Sequence, residues 1–275
     1  MKSLHAVALV LCATAPSAWI VTLALLLVAH SGDVTRWAGD DWWVMAGVLV
    51  VPLPLAAGLL GHFVQAVSGG ALYRRTTFLL DSLGKPVFPA HIDIAEDPFV
   101  RGGKGSSPFD DEGVRVQARK LVDAGRVQGY FLGTYSARKL GMKTTGNAGG
   151  SHNLTLTSRR TQADDDLDAM LRKLGTGLFV TELMGHGVNY VTGDYSRGAS
   201  GFWVEKGRIA YPVQEITIAG NLRDMFQGIE AVGADTYNYG AKTIGSVLVA
   251  GPISILVVSR IAALSPRHAF SLVES

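Results

Sequence analysis

Glycine punctuation constrains this chain more than any other feature. Of its 275 residues 33 are glycine, and from about residue 51 to residue 249 they separate short segments in which apolar and polar side chains alternate. Alternation with a period of two puts one face of a strand on a core and the other in water, and short strands between tight turns give a mostly antiparallel sheet. In one predicted hairpin Val114, Val116 and Ala118 alternate with Arg115, Gln117 and Arg119; beyond Asp123-Ala124-Gly125, Val127, Gly129 and Phe131 alternate with Arg126, Gln128 and Tyr130. Gly125 supplies the positive φ that such a turn needs. A second hairpin is predicted over residues 202–211, turning at Lys206-Gly207.

Two helices carry start and stop signals. Thr161 with Asp164 forms a capping box, Leu167, Met170, Leu171 and Leu174 fall at i, i+3, i+4 and i+7, and Arg172, Lys173 and Gly175 close the segment. Asn221 with Asp224 opens the other, in which Leu222, Met225, Phe226 and Ile229 repeat the spacing before Gly233. Both stripes read as core faces. The run Asp164-Asp165-Asp166 reads as first-turn charge, because adjacent helical side chains diverge in direction.

The ends differ in texture. Residues 6–29 carry no charge and are long enough for a membrane span of roughly 20 residues. Met1-Lys2, that apolar run and Pro16-Ser17-Ala18 also fit a secretory leader. A second uncharged run, residues 42–73, contains Pro52, Pro54, His62, Gln65 and several glycines, and reads as a buried globular segment. The expected fold is α+β: a predominantly antiparallel β-sheet domain with a few helices, preceded by a hydrophobic N-terminal helical segment. Twenty-five basic against 23 acidic residues leave +2, with no basic stripe interleaved with aromatics, so direct nucleic-acid binding is not expected. Cys12 is the single cysteine, which excludes an internal disulfide and a multi-cysteine metal site.

A zinc peptidase needs two or three imidazoles or carboxylates around the ion and a base for its water. No His-Glu-x-x-His occurs here. Glu182-Leu183-Met184-Gly185-His186 has the two residue types in reverse order and reads as a buried turn. His91-Ile92-Asp93-Ile94-Ala95-Glu96-Asp97 gathers ligand types on a strand end, where surface hydrogen bonding is the ordinary role. His62 and His152 are single histidines without sequence neighbours of that kind. Ser151-His152 are adjacent and point apart on a strand, and no Gly-x-Ser-x-Gly elbow exists. Arg101-Gly102-Gly103-Lys104-Gly105-Ser106 lacks phosphate-loop spacing and reads as a flexible loop. Residues alone lead to a sheet-rich domain with glycine loops, and no further.

Long runs carry more. Gly61-His62-Phe63-Val64-Gln65-Ala66-Val67-Ser68-Gly69-Gly70-Ala71-Leu72-Tyr73, Tyr135-Ser136-Ala137-Arg138-Lys139-Leu140-Gly141-Met142, Thr145-Gly146-Asn147-Ala148-Gly149-Gly150-Ser151-His152-Asn153-Leu154 and Thr192-Gly193-Asp194-Tyr195-Ser196-Arg197-Gly198-Ala199-Ser200-Gly201-Phe202-Trp203 resemble the C-terminal half of the PmbA/TldE family, historically labelled modulators of DNA gyrase. The resemblance spans residues 52–249. It implies a subunit of a heterodimeric zinc metallopeptidase acting on short or unfolded peptides, in which zinc sits in a TldD-type partner. The partner's His-Glu-x-x-x-His helix falls on Gly61-His62-Phe63-Val64-Gln65-Ala66, and its late cysteine ligand on about Ile244, so the resemblance implies no catalytic residue, no metal ligand and no cofactor in this chain.

On the glycine-rich loop Asp194, Tyr195, Ser196 and Arg197 are expected to contact peptide or partner. The resemblance implies a cytoplasmic location, with membrane anchoring through residues 6–29 as the alternative. Residues 1–51, a hydrophobic leader or transmembrane segment, and residues 250–275, an atypical tail, have no counterpart in that resemblance. The resemblance implies a further family domain before the matched region, and residues 1–51 are not expected to supply it. The competing reading is a non-catalytic peptide- or antitoxin-binding or membrane-tethered protein, including a truncated gene product.

Overall fold

The computed structural model describes residues 43–260. The apolar run 6–29 with its expected helix, Cys12, and residues 261–275 of the expected tail lie outside the described residues.

A closed barrel forms the centre of the domain. Its strands are β1 (Trp43–Val51), β6 (Gly177–Met184), β7 (Asp194–Glu205), β8 (Arg208–Asn221) and β12 (Val247–Arg260). Strands β6, β7, β8 and β12 pair antiparallel in that order; β1 closes the ring, antiparallel to β12 from Trp43↔Val257 to Val51↔Val247 and parallel to β6 at Leu49↔Leu178. Closure leaves no open edge among these five strands. A short strand, β9 (Ile229–Val232), adds to β12.

The second sheet runs β10 (Tyr237–Tyr239), β11 (Lys242–Ile244), β5 (Asn153–Ser158), β2 (Ile92–Asp97), β3 (Arg119–Asp123), β4 (Arg126–Val127). Only β11 and β5 pair parallel in it. The expected sheet-rich architecture with few helices is therefore present, with two parallel pairings in otherwise antiparallel sheets.

Strand β1 explains why residues 43–51 read as part of an apolar leader. Leu49 and Val51 join the main core, while Val50 joins a second cluster with Phe179, Val204 and Leu248. A strand covered on both faces has no polar alternation to show. Pro52 then ends it, and the helix α1 (Leu53–Ala66) starts at once with a proline in its first turn. Its 14 residues extend about 21 Å, and Ala56, Ala57, Leu60, Phe63 and Ala66 are buried, so the uncharged second run is a buried globular segment. Helix α1 lies against β6 of the barrel and against β10 and β11 of the second sheet. Among the described residues no helix is long and apolar enough to cross a membrane.

Four short helices complete the described residues: α2 (Gly69–Tyr73), α3 (Thr134–Lys139), α4 (Leu167–Leu174) and α5 (Leu222–Gln227). Helix α4 covers the outer barrel cluster with Met170, Leu171 and Leu174. Its cap differs from expectation: Asp166 accepts from the Ala169 N–H at 2.8 Å, while the Thr161 hydroxyl donates to the Val232 carbonyl. Asp165 instead accepts from the Gln162 N–H and pairs with Lys173. Asn221 caps α5 as expected, accepting from the Arg223 N–H. That helix stops at Gln227, and Ile229 opens β9 because the Ala250 N–H takes the Gly228 carbonyl and draws the chain onto β12.

Both predicted hairpins form. Ala124 and Gly125 have φ 48° and 75°, Lys206 and Gly207 52° and 73°, the pair of positive values that defines a type I′ turn. The first hairpin is shorter than the alternation suggests. Asp110 takes the N–H groups of Glu112, Val114 and Ala148, which holds the segment before β3 in irregular form, and the Arg119 guanidinium replaces ladder bonds by donating to the Tyr130 carbonyl and Asn147.

Four phenylalanines join the layers. Phe226 of α5 lies 5.0 Å from Phe88, 6.2 Å from Phe63 of α1 and 6.2 Å from Phe78, ring centre to ring centre. Phe226→Ala should cost about 3–5 kcal/mol by cavity formation, read as a lower urea midpoint at unchanged slope. Tyr237→Ala, at a side chain 52% exposed, should stay within about 0.5 kcal/mol. A loss below 1 kcal/mol for Phe226→Ala would contradict this packing.

Candidate functional site

Helix α1 and the start of β7 enclose a cavity of about 50 Å³, lined by aliphatic side chains, among them Leu55, Leu59, Val180 and Ile218, and by His62, Tyr195 and Arg197. His62 is the polar residue that the uncharged helix turns toward β7. Its Nδ1 lies 2.8 Å from the Tyr190 hydroxyl, and its ring meets Tyr195 edge-on at 5.8 Å.

The loop before β7 is held by backbone contacts. The Ser196 N–H donates to the Gly187 carbonyl, the Asn189 N–H to Asp194 and the Gly193 N–H to Asn189. A Cβ at Gly187 would lie 1.9 Å from the Ser196 carbonyl oxygen, so this close approach requires glycine there. The Phe78 N–H donates to the Tyr190 carbonyl and presses the loop onto the core.

The strand period then sorts the four expected contact residues. Tyr195 is buried and Arg197 half-buried on the cavity side; Asp194 and Ser196 are exposed on the other face. Asp194 closes its own turn, accepting from the Thr192 hydroxyl at 2.6 Å and from the Asn221 amide at 3.3 Å. The structure thus brings Tyr195 and Arg197 together and separates Asp194 and Ser196 from them. His62 and Tyr190 complete the cluster and were not singled out by spacing. The available signal was a lone imidazole on an otherwise uncharged helix.

Arg197 is poorly satisfied. Its Nη2 donates to the Leu183 carbonyl at 3.4 Å, and its Nε is buried without a hydrogen-bond partner. No ion pair among the described residues involves Arg197 or Lys242, and the Lys242 ammonium lies beside Gly61 of α1. Burial first, then the charges of Arg197 and Lys242, lower the His62 pKa to about 4. Burial raises both Tyr195 and Tyr190, against the opposing charge of Arg197 and, at Tyr195, a side-chain hydrogen bond with Arg197 as well. The site is a neutral imidazole and two neutral phenols around uncompensated positive charge.

The other ligand-type residues serve the fold. Glu96 is buried, paired with Arg119 at 2.7 Å, and accepts from the Asn147 amide and the His152 N–H. The His152 ring nitrogens lie 3.2 and 3.0 Å from the carbonyls of Gly105 and Gly146, tying the glycine loops 101–105 and 146–150 to the sheet. Asp93 is paired with Arg159, and His91 is buried against Ser158 rather than on the surface. Glu182 and His186 are exposed, not a buried turn. Among the described residues no group of three or more His, Cys, Asp or Glu could hold a metal ion. At the positions Gly61, His62, Ala66 and Ile244 the single donor is His62, its Nδ1 engaged by Tyr190 and two cations beside it. That donor set does not fit zinc.

Similarity to characterised proteins now fixes the class as a metallopeptidase-type domain. Residues 46–253 match the PmbA/TldA metallopeptidase C-terminal domain, and the chain belongs to that family. It is 52% identical over 195 residues to the metalloprotease PmbA of Escherichia coli O157:H7, covering 71% of this chain and 42% of that protein. The chain therefore spans less than half the length of that relative. A crystal structure described as a modulator of DNA gyrase, from Bacteroides thetaiotaomicron, superposes with TM-score 0.71 at 27% identity, over 82% of this chain and 49% of that one. TldE from Thermococcus kodakarensis shares the fold, with TM-score 0.64 at 21% identity over 79% of this chain and 51% of its own.

The His62 environment predicts a pH dependence. Between about pH 6.5 and 4 the unfolded chain takes up a proton that the folded imidazole refuses, so stability falls as pH falls through that window. The full shift would amount to about 3 kcal/mol, and partial exposure of the ring reduces it to on the order of 1–2 kcal/mol. His91, lowered by burial and Arg160, acts with the same sign. Asp93, held low by its Arg159 hydrogen bond, and Asp165, held low by the Gln162 N–H and Lys173, lose their contribution only below their ordinary 3.8. The diagnostic is therefore the difference between wild type and His62→Gln in urea titrations at pH 7.5 and 5. The variant should lose less stability on acidification, and equal losses would refute the assignment.

Proposed function

We propose that this chain is the subunit of a two-component metallopeptidase that holds no zinc itself and forms a wall of the peptide chamber. Metal and hydrolytic water then belong to a TldD-type partner, and the substrates are short or unfolded peptides. The observation that carries this reading is the content of α1. Where metal chemistry needs anionic or neutral donors converging on one point, the helix offers Gly61, His62 and Ala66, with Arg197 and Lys242 acting on the one imidazole.

The contacts proposed for peptide on this chain are made by side chains. From residue 194 to 199 the β7 backbone pairs with β8 on one edge. On the other, Tyr195 bridges to Val188, the Ser196 N–H takes the Gly187 carbonyl, and β6 pairs from Gly198 onward. Strand addition, the common way of gripping an extended peptide, is closed there. That leaves Tyr195 and Arg197 for the substrate, and Asp194 and Ser196 on the outer face for the partner. A cytoplasmic complex goes with this reading, and an anchor in residues 6–29 is its alternative.

The full chain purified alone should contain no stoichiometric zinc and leave an unfolded peptide intact, whereas co-expression with a TldD-type subunit should give a complex that cleaves it in a chelator-sensitive manner. Mass spectrometry of metals and chromatographic analysis of products read both arms. Tightly held zinc with cleavage by this chain alone would overturn the proposal. So would Tyr195→Ala and Arg197→Ala variants that assemble and cleave as wild type, as far as the contact residues are concerned.

A further inference from the structure

The Arg197 cavity carries a positive charge without a counter-ion, and its walls are aliphatic. A half-buried guanidinium whose polar neighbours are the Leu183 carbonyl at 3.4 Å and the Tyr195 hydroxyl, and whose buried Nε–H has no partner, gains from an anion that joins it. Lys242, beside α1, adds a second positive charge rather than cancelling the first. Tyr195 and His62 supply polar edges at the same wall, and Leu55, Leu59, Val180 and Ile218 supply the remainder. A metal cation is excluded electrostatically, and a phosphate would bring two charges and three wet oxygens against these apolar walls. One carboxylate on a short aliphatic stem matches both halves, since its two oxygens fit the planar fork of arginine.

We propose that this cavity is a binding site for a carboxylate borne on a small aliphatic group, and that its source is the C-terminus of a peptide ending in an aliphatic residue. The choice of a peptide rests on the function proposed above; the carboxylate chemistry does not. Arg197 takes the carboxylate, Tyr195 and the imidazole of His62 border it, and the aliphatic side chain enters the cavity. The site would then select products or substrates by their free end, and a blocked end would be rejected because it leaves the guanidinium unpaired.

The test uses the full chain without any partner, so its outcome is independent of whether a TldD-type subunit restores cleavage. Calorimetric titration compares acetyl-Ala-Leu as the free acid, the same peptide as the C-terminal amide, and hexanoate. The acid should bind at least tenfold more tightly than the amide. Arg197→Gln should abolish that preference, and Arg197→Lys, which keeps charge but not the fork, should retain part of it. Thermal unfolding of each variant separates loss of the site from loss of the fold; should Arg197→Gln not fold, the acid-to-amide ratio on wild type and Arg197→Lys decides. Equal binding of acid and amide, or an undiminished preference in folded Arg197→Gln, would overturn the site. Hexanoate binding as tightly as the peptide acid would uphold the carboxylate and overturn the peptide as its source.

Discussion

The pairing of β1 with β12 is the contact on which the remaining architecture depends. It joins segments some two hundred positions apart, from Trp43↔Val257 to Val51↔Val247, and turns an open sheet into a ring. Because Pro52 follows the last paired residue and α1 begins immediately, closing the barrel also sets where the helix enters the interior. Helix α1 then carries Phe63 to the aromatic cluster and His62 to the cavity. A loop of this length is closed late and at high entropic cost, so the apolar covering of both faces of β1 has to supply the compensation. Val50 against the outer cluster and Leu49 and Val51 against the inner one do so.

That same double burial limits what could be read from the residues. Local rules made the turns at Ala124-Gly125 and Lys206-Gly207, the hairpin over residues 202–211 and the stripe of α4 legible, while residues 194–201, which read as a loop, form the first part of β7. Strand β1 was not legible either, because an uninterrupted apolar run is the same for a covered strand and for an apolar leader. The expected cap of α4 failed because two starts compete, whereas Asn221 caps α5 as read. Thr161-Asp164 and Asp166-Ala169 both satisfy the spacing of a helix start, and the choice fell to Asp165, whose bond to Lys173 and the Gln162 N–H fixes the turn one step later. The cavity was half legible. Tyr195 and Arg197 stood out in a stretch that reads as a glycine-rich loop and is in fact the start of β7, whereas His62 and Tyr190 lie 128 positions apart and meet only through the fold.

Electrostatics at this cavity run opposite to those of a metal centre. A divalent cation is held by groups that bring negative charge or lone pairs and is repelled by neighbouring cations. Here the helix that approaches β7 meets Arg197 and Lys242, and the response is visible in its one titratable residue, whose imidazole is held neutral down to about pH 4. Adding carboxylates elsewhere does not change this, since Glu96, Asp93 and Asp165 are already committed to Arg119, Arg159 and Lys173. Those three pairs bind the sheets and helix α4 into place, and they leave the positive charge at the cavity standing alone.

The residues on the helix do more than offer few donors. Gly61 opens the space in which the Lys242 ammonium sits, and a bulky ligand residue at that position would displace the lysine as well as introduce an imidazole. His62, engaged by Tyr190 and edge-packed on Tyr195, fills the volume between helix and strand with a group that stays uncharged. Making such a site bind metal would require coupled changes on α1, on β7 and at Lys242, because any one of them alone leaves either an unpaired cation or an unpaired carboxylate in a low-dielectric wall. The same coupling argues that the cavity's preference for an anion is a property of the whole helix–strand contact, not of Arg197 by itself.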